Sequence, residues 1–323
     1  MTLIETLCRK MACYTNFDEF GRPLETKNSG YDNWAEWIKK ESLLRLFYSV
    51  WLPAPSHPSL WEASSQEAWL KNQNTSSYNA LPFRSVLLEF YRTQKILSPD
   101  PFNILLLNIG VKYHAEKLHR APIYLTILQE HAEALPSTKL SGAVQSLSHL
   151  LSMFIYLPVR ELYAFTGWRV SSSQRAINNT KLRTWIQSKT EARASLMHAC
   201  KAWSMIRNRK TGSQHETMGF LLATVMIWAW IELGKRPEVE DLNLLVTVRL
   251  DQVTDILKAW ITQNNDSRLY LGGMGCLWEE GASRRLIHES TKTLEGLDWP
   301  LAQALALNLR EHYKSYPDKA LQG

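Results

Sequence analysis

The chain has 323 residues, a hydrophobic share of 45% and a formal charge of +6, from 37 Lys and Arg against 31 Asp and Glu. This is the composition of an ordinary globular protein able to bury a sizeable core, and its charge permits contact with nucleic acid without demanding it. Four cysteines, at 8, 13, 200 and 276, lack the spacing of a disulfide framework, and the charge-interrupted Cys8–Cys13 segment does not read as a signal peptide, so a soluble protein of a reducing compartment is expected.

Helical periodicity dominates, and no run shows convincing strand alternation. A first helix is predicted over roughly 3–14, with a loop from Phe17 to Tyr31. The next starts at Asp32 or Asn33, either of which can cap it, and stops at Leu52-Pro53. Its Trp34, Trp37, Glu41 and Arg45 step by three and four along one side, which places Glu41 and Arg45 for an i,i+4 ion pair and makes the two Trp a packing ridge. After a turn at 53–58, the short segment Leu60–Trp69 carries a cap at Ser64 or Ser65. Helices follow from Pro82, whose ring suits a first turn, and over 102–120, 122–134, 141–156 and 158–166. A break at 167–173 precedes one long polar-faced helix to about Arg209. The remaining helices are predicted over 215–233, 239–263, 283–295 and 299–315, with a bend at Leu271–Gly275. The sum is an all-α single domain of packed antiparallel helices over 1–323: a loosely packed N-terminal segment 1–30, a first helical half 31–166 and a second helical half 174–315.

Two stretches invite special readings. Met218–Ile231 is the longest uncharged apolar run, at 14 residues. A bilayer span needs about 20, so this run reads as a buried core helix and no membrane association is expected. Arg207–Lys210 is the densest basic stretch. It reads as a solvated helix end, where cations suit the C-terminal dipole, with a phosphate contact or localisation signal as the alternatives.

Several chemistries lack their groups. Four cysteines cannot build a six-cysteine zinc cluster, and Cys8 and Cys13 are followed by no His before His57. His114 and His119 stand five apart, about 140° around a helix, so one face cannot present both to a metal. Gly272-Gly273-Met274-Gly275 follows no predicted strand, and neither a P-loop nor a Gly-x-Ser-x-Gly elbow occurs. No metal and no cofactor is therefore expected. Candidate side chains remain. His149 sits within an apolar segment, as either a satisfied core residue or an acid–base group. Glu161 and Tyr163 share one short helix, and His215 opens the most apolar helix, with Trp228 and Trp230 further along it.

Read in order, these segments resemble the later part of the fungal-specific transcription factor domain, the regulatory or middle homology region of fungal zinc-finger regulators. The resemblance is carried by Trp34-x-x-Trp37-x-x-x-Glu41 with Arg45, by Leu60-Trp61-Glu62-Ala63 with Trp69, and by Pro82-Phe83-Arg84-Ser85. It continues through His215-Glu216 with Trp228 and Trp230, then Gly273, Gly275, Arg284-Arg285-Leu286 and Trp299. Leu43 and Leu44 stand where the family usually has arginines, and the fingers and first half of the domain do not precede the Trp34 motif.

The resemblance implies an effector domain in the control of secondary-metabolite or other metabolic genes. It would act through other regulatory proteins or as a homodimer, in nucleus or cytoplasm, without sequence-specific DNA contact of its own. A metabolite in an apolar pocket, with Tyr163, Trp228 and Trp230 as ligand-binding residues, fits that role. The alternative is a recruited cofactor-free cyclase or pericyclase of the Diels-Alderase kind, holding an apolar substrate with His149, Glu161 and His215 as its catalytic groups. A third reading is a remnant of a truncated gene.

Overall fold

The most apolar stretch of the sequence becomes the centre of the fold. In the computed structural model, which describes residues 83–96, 101–113, 120–167, 170–209, 214–238, 241–297 and 300–314, this stretch is the helix Gln214–Leu233. Apolar residues run all round it, so every side needs a neighbour. Its segment Glu216–Leu233 is long and apolar enough to cross a membrane, and 78% of that segment is buried inside the fold. The described residues belong to one compact unit, Phe83–Gly323. The predicted helices over 3–14 and 32–52, with Trp34, Trp37, Glu41 and Arg45, lie outside the described residues, as do Leu60–Trp69, His114, His119 and Trp299.

The described helices are α1 (Phe83–Thr93), α2 (Pro101–Tyr113), α3 (Ala121–Glu133), α4 (Lys139–Tyr156), α5 (Val159–Phe165) and α6 (Ser172–Ser188). They continue as α7 (Thr190–Arg209), α8 (Gln214–Leu233), α9 (Asp255–Gln263), α10 (Ala282–Glu295) and α11 (Pro300–Lys314). The all-α class predicted from sequence is the observed one. α4 packs along α7 and α7 along α8, while α8 also meets α10 and α11. One continuous core runs from Leu150 to Leu309, with Trp203, Trp228 and Phe220 fully buried in it.

Local chemistry sets several boundaries. Thr138 and Ser141 form a reciprocal capping box at the start of α4: the Ser141 amide donates to Thr138 Oγ1 at 3.1 Å, and the Thr138 amide to Ser141 Oγ at 2.8 Å. Thr254 caps α9 by accepting from the Leu257 amide, and Asn264, at φ 56°, ends it in the left-handed conformation that Asn tolerates.

Two sequence expectations are corrected. The single helix to Arg209 is two helices, because Lys189 is extended at φ −107°, ψ 131° and turns the chain between α6 and α7. The predicted helix over 239–263 is a 3₁₀ turn at Leu242–Leu244, the strand β1 (Thr247–Arg249) and then α9. β1 pairs in parallel with β2 (Arg268–Leu271), which pairs antiparallel with β3 (Gly275–Cys276). The glycine-rich segment thus does follow a strand. It leads into another strand rather than a helix, so it is a hairpin turn and not a phosphate cradle. Gly273, at φ 80°, has no room for a Cβ, which would run into the Arg207 guanidinium.

The α4–α8 crossing depends on a second glycine. A Cβ on Gly219 would collide with the Leu150 side chain. Gly219→Ala is therefore expected to destabilise the domain by about 1–3 kcal/mol through overpacking, despite alanine's better helix propensity. Chemical denaturation checks this; an increase in stability would mean that the crossing relaxes freely.

Candidate functional site

α4 buries polar as well as apolar side chains, and each polar group must find a partner. Gln145 Nε2 donates to the Ala132 carbonyl at 2.8 Å and Ser148 Oγ to the Val144 carbonyl at 3.0 Å. Ser146 Oγ reaches the buried Glu216 carboxylate of α8 at 3.1 Å. One turn on, His149 faces α7, where its Nδ1 lies 3.1 Å from His198 Nδ1. Its Nε2 lies 3.8 Å from Glu133 Oε1 on α3, and Lys201 Nζ approaches the same oxygen at 3.7 Å. The side chains of His149 and Lys201 are 2% and 8% exposed, whereas that of Glu133 is 46% exposed. The result is a polar seam from the surface at Glu133 into the α4–α7 interface.

Electrostatics fix the protonation of this seam. Two nitrogens 3.1 Å apart bond only if one carries a hydrogen and the other a lone pair, so the rings take opposite tautomers. We assign the Nε2–H form to His149, because its Nε2 faces the Glu133 carboxylate, and the Nδ1–H donor to His198. Burial holds the His149 imidazole well below its ordinary range, with His198 and the Lys201 ammonium adding to the effect. Burial and Lys201 push His198 down to about 3. Lys201 is itself lowered by burial, against the attraction of Glu133. Both imidazoles are neutral at pH 7. The seam opens to solvent at Glu133, whose side chain is 46% exposed.

A second polar knot ties α7, α8 and α10. The indole N–H of Trp203 donates to Ser290 Oγ at 2.8 Å, and Thr224 Oγ1 lies 3.1 Å from the same hydroxyl. Arg207 covers the Trp203 ring at 5.3 Å and pairs with Glu289 at 2.9 Å. Arg207, read from sequence as part of a solvated cationic helix end, is instead half-buried and ion-paired, because α10 brings a carboxylate to it.

The remaining candidates are dispersed. Glu161 and Tyr163 lie on α5, Tyr163 exposed, and α5 packs against α6. His215 lies in the first turn of α8 beside Glu216, whose contact with Ser146 brings that turn to the stretch of α4 carrying His149. Trp228 is fully buried, edge-on to Phe165 at 5.0 Å and to Tyr313 at 5.8 Å. Trp230, two positions along and so about 200° around the helix, packs edge-on to Trp260 at 5.9 Å. The two Trp thus face different sides of α8. Among the described residues the buried Trp230 indole N–H finds no hydrogen-bond partner, and a donor left so costs about 1–3 kcal/mol. His198, Lys201 and Glu133 were not singled out from sequence; His198, flanked by Met197 and Ala199 as His149 is by Ser148 and Leu150, carried the only local hint. Among the described residues no three His, Cys, Asp or Glu side chains are grouped so as to hold a metal ion.

Comparison with known proteins bears on this arrangement. No family model and no solved structure matches the chain. Over 97% of its length it is similar, at 34% identity across 339 aligned positions, to a protein of the fungus Gibberella fujikuroi (strain CBS 195.34 / IMI 58289 / NRRL A-6831) named "Transcription factor". The chain spans 45% of that relative's length.

Proposed function

We propose that this chain is a helical regulatory domain in the control of transcription, placed in the nucleus and working through other regulatory proteins rather than by reading DNA sequence. The observation that carries this reading is the 34% identity with a protein named "Transcription factor" over nearly the whole chain. The fold is consistent with it: large side chains fill a common core, and polar groups of α4 are spent on partners in α7 and α8. The genes under control would be those of secondary or other metabolism.

The enzyme alternative, a cofactor-free cyclase or pericyclase, draws on the neutral His149–His198 pair and the unpartnered Trp230 N–H. Transcript profiling of a deletion strain, alongside its metabolites, separates the two. A coordinated change in functionally linked transcripts is expected. Unchanged transcripts, with loss of one metabolite and build-up of its precursor, would replace the regulator with the enzyme.

A further inference from the structure

α6 stands apart in charge. No carboxylate side chain occurs between Glu161 and Glu191, an interval that contains all of α6 together with Arg175, Lys181, Arg183 and Lys189. Several cations elsewhere meet carboxylates, as in Arg207–Glu289, Arg268–Glu279 and Arg310–Glu295. Lys181, Arg183 and Lys189 are exposed, and among the described residues none of their three side chains has an ion-pair or hydrogen-bond partner.

The helix arranges these cations around a low ridge. Asn178, Leu182 and Ile186, four apart, form the buried row. Lys181 and Arg183 are each about 100° from Leu182, on opposite flanks. Between them, facing outward, lie Ser173, Ile177, Thr180, Thr184 and Ser188, all exposed. The hydroxyls of Thr180, Thr184 and Ser188 donate to the carbonyls of Ala176, Thr180 and Thr184 at 3.1, 3.0 and 2.7 Å. They lie flat on their own helix, so an extended polyanion can approach closely with a cation on either side. Lys189, just past the helix end, is a third exposed cation.

The chemistry of this face selects among polyanions. Protein interfaces are built around aromatic and apolar anchors and are poor in lysine, and here the ridge offers Ile177 alone. Single-stranded nucleic acid needs exposed rings for its bases to stack on. The aromatic ring of α6, Trp185, is partly buried and packs against the core. What remains is a rigid phosphate backbone, which cationic surfaces bind without reading bases. We propose that the outward face of α6 holds the phosphate backbone of duplex DNA, independently of sequence; the choice of DNA among duplexes rests on the regulatory reading above.

Fluorescence anisotropy of the purified full chain with a random-sequence DNA duplex, over a range of salt, tests this. Binding is expected to weaken as salt rises. The variant K181Q/R183Q/K189Q should bind about tenfold or more weakly at low salt, with a log–log salt slope shallower by about 2–3. The control K235Q/K258Q/K314Q, which removes the same charge elsewhere, should bind as the wild type does. Equal binding by the α6 variant overturns the proposal, as does a wild type that captures a poly-glutamate peptide but no duplex. Absent duplex binding alongside altered transcripts in the deletion strain would remove this inference and leave the regulatory reading standing.

Discussion

Trp203→Ala is expected to cost about 3–5 kcal/mol of stability, the range for removing a large aromatic side chain from a filled core. Trp203 is fully buried, stacks on Phe220 at a centroid distance of 6.0 Å and donates to Ser290. The truncation leaves a cavity where α7, α8 and α10 meet, leaves Ser290 with Thr224 alone of its two hydrogen-bond neighbours and takes away the surface on which Arg207 rests. Trp203→Phe keeps part of the volume and loses the N–H, so a smaller loss, about 1–3 kcal/mol, is expected. Urea denaturation monitored by circular dichroism reads both. If the alanine variant melted within 1 kcal/mol of the wild type, on the order of an ordinary surface change, the three helices would not depend on this ring.

Acid is expected to weaken the domain in a way traceable to two residues. Unfolded, His149 and His198 titrate near their ordinary value of about 6.5. Folded, His149 stays neutral well below that value and His198 down to about 3. Below pH of about 6.5 the unfolded chain therefore binds more protons than the folded one, and stability falls as pH falls. The pair's contribution is intact above about 6.5 and declines toward about 3, at up to roughly 2–3 kcal/mol per pH unit while both rings are charged only in the unfolded state. Glu133, whose carboxylate lies 3.8 Å from His149 Nε2, opposes the effect, while Lys201 reinforces it. In H149F/H198F the stability lost between pH 7 and pH 5 should shrink by roughly 2–4 kcal/mol relative to wild type. Parallel pH profiles for the two proteins would show that the histidines are not held neutral.

Much of the fold was legible because burial imposes a period on the sequence. α8 begins and ends within one residue of its predicted span, since an apolar run bounded by Gln214 and Gly234 leaves little choice. The helix predicted over 239–263 failed for a physical reason. Leu242, Leu245 and Val248 recur at three-residue intervals compatible with a helix, and a strand of three residues is too short for alternation to declare itself. Val246-Thr247-Val248, β-branched throughout, and the capping Thr254 were the signals available. Likewise Thr190-Glu191 marked a fresh helix start inside what read as one long helix. The polar seam was half legible. His149 was conspicuous in its apolar setting, but its partner His198 is 49 positions away, and only the packing of α4 on α7 brings the rings together.

The bond from Trp203 to Ser290 joins residues 87 positions apart, and Ser146 meets Glu216 across 70. A ribosome adding about 5–20 residues per second takes on the order of 4–17 s to make the longer interval. For the last 57 of those positions, from Leu233 to Ser290, the nascent chain carries all of α8, the most apolar helix of the domain, without the α10 face that closes over it. The order of synthesis therefore leaves that side of α8 uncovered until α10 is made, and the core closes fully only when α11 adds Ala302, Ala306 and Leu309.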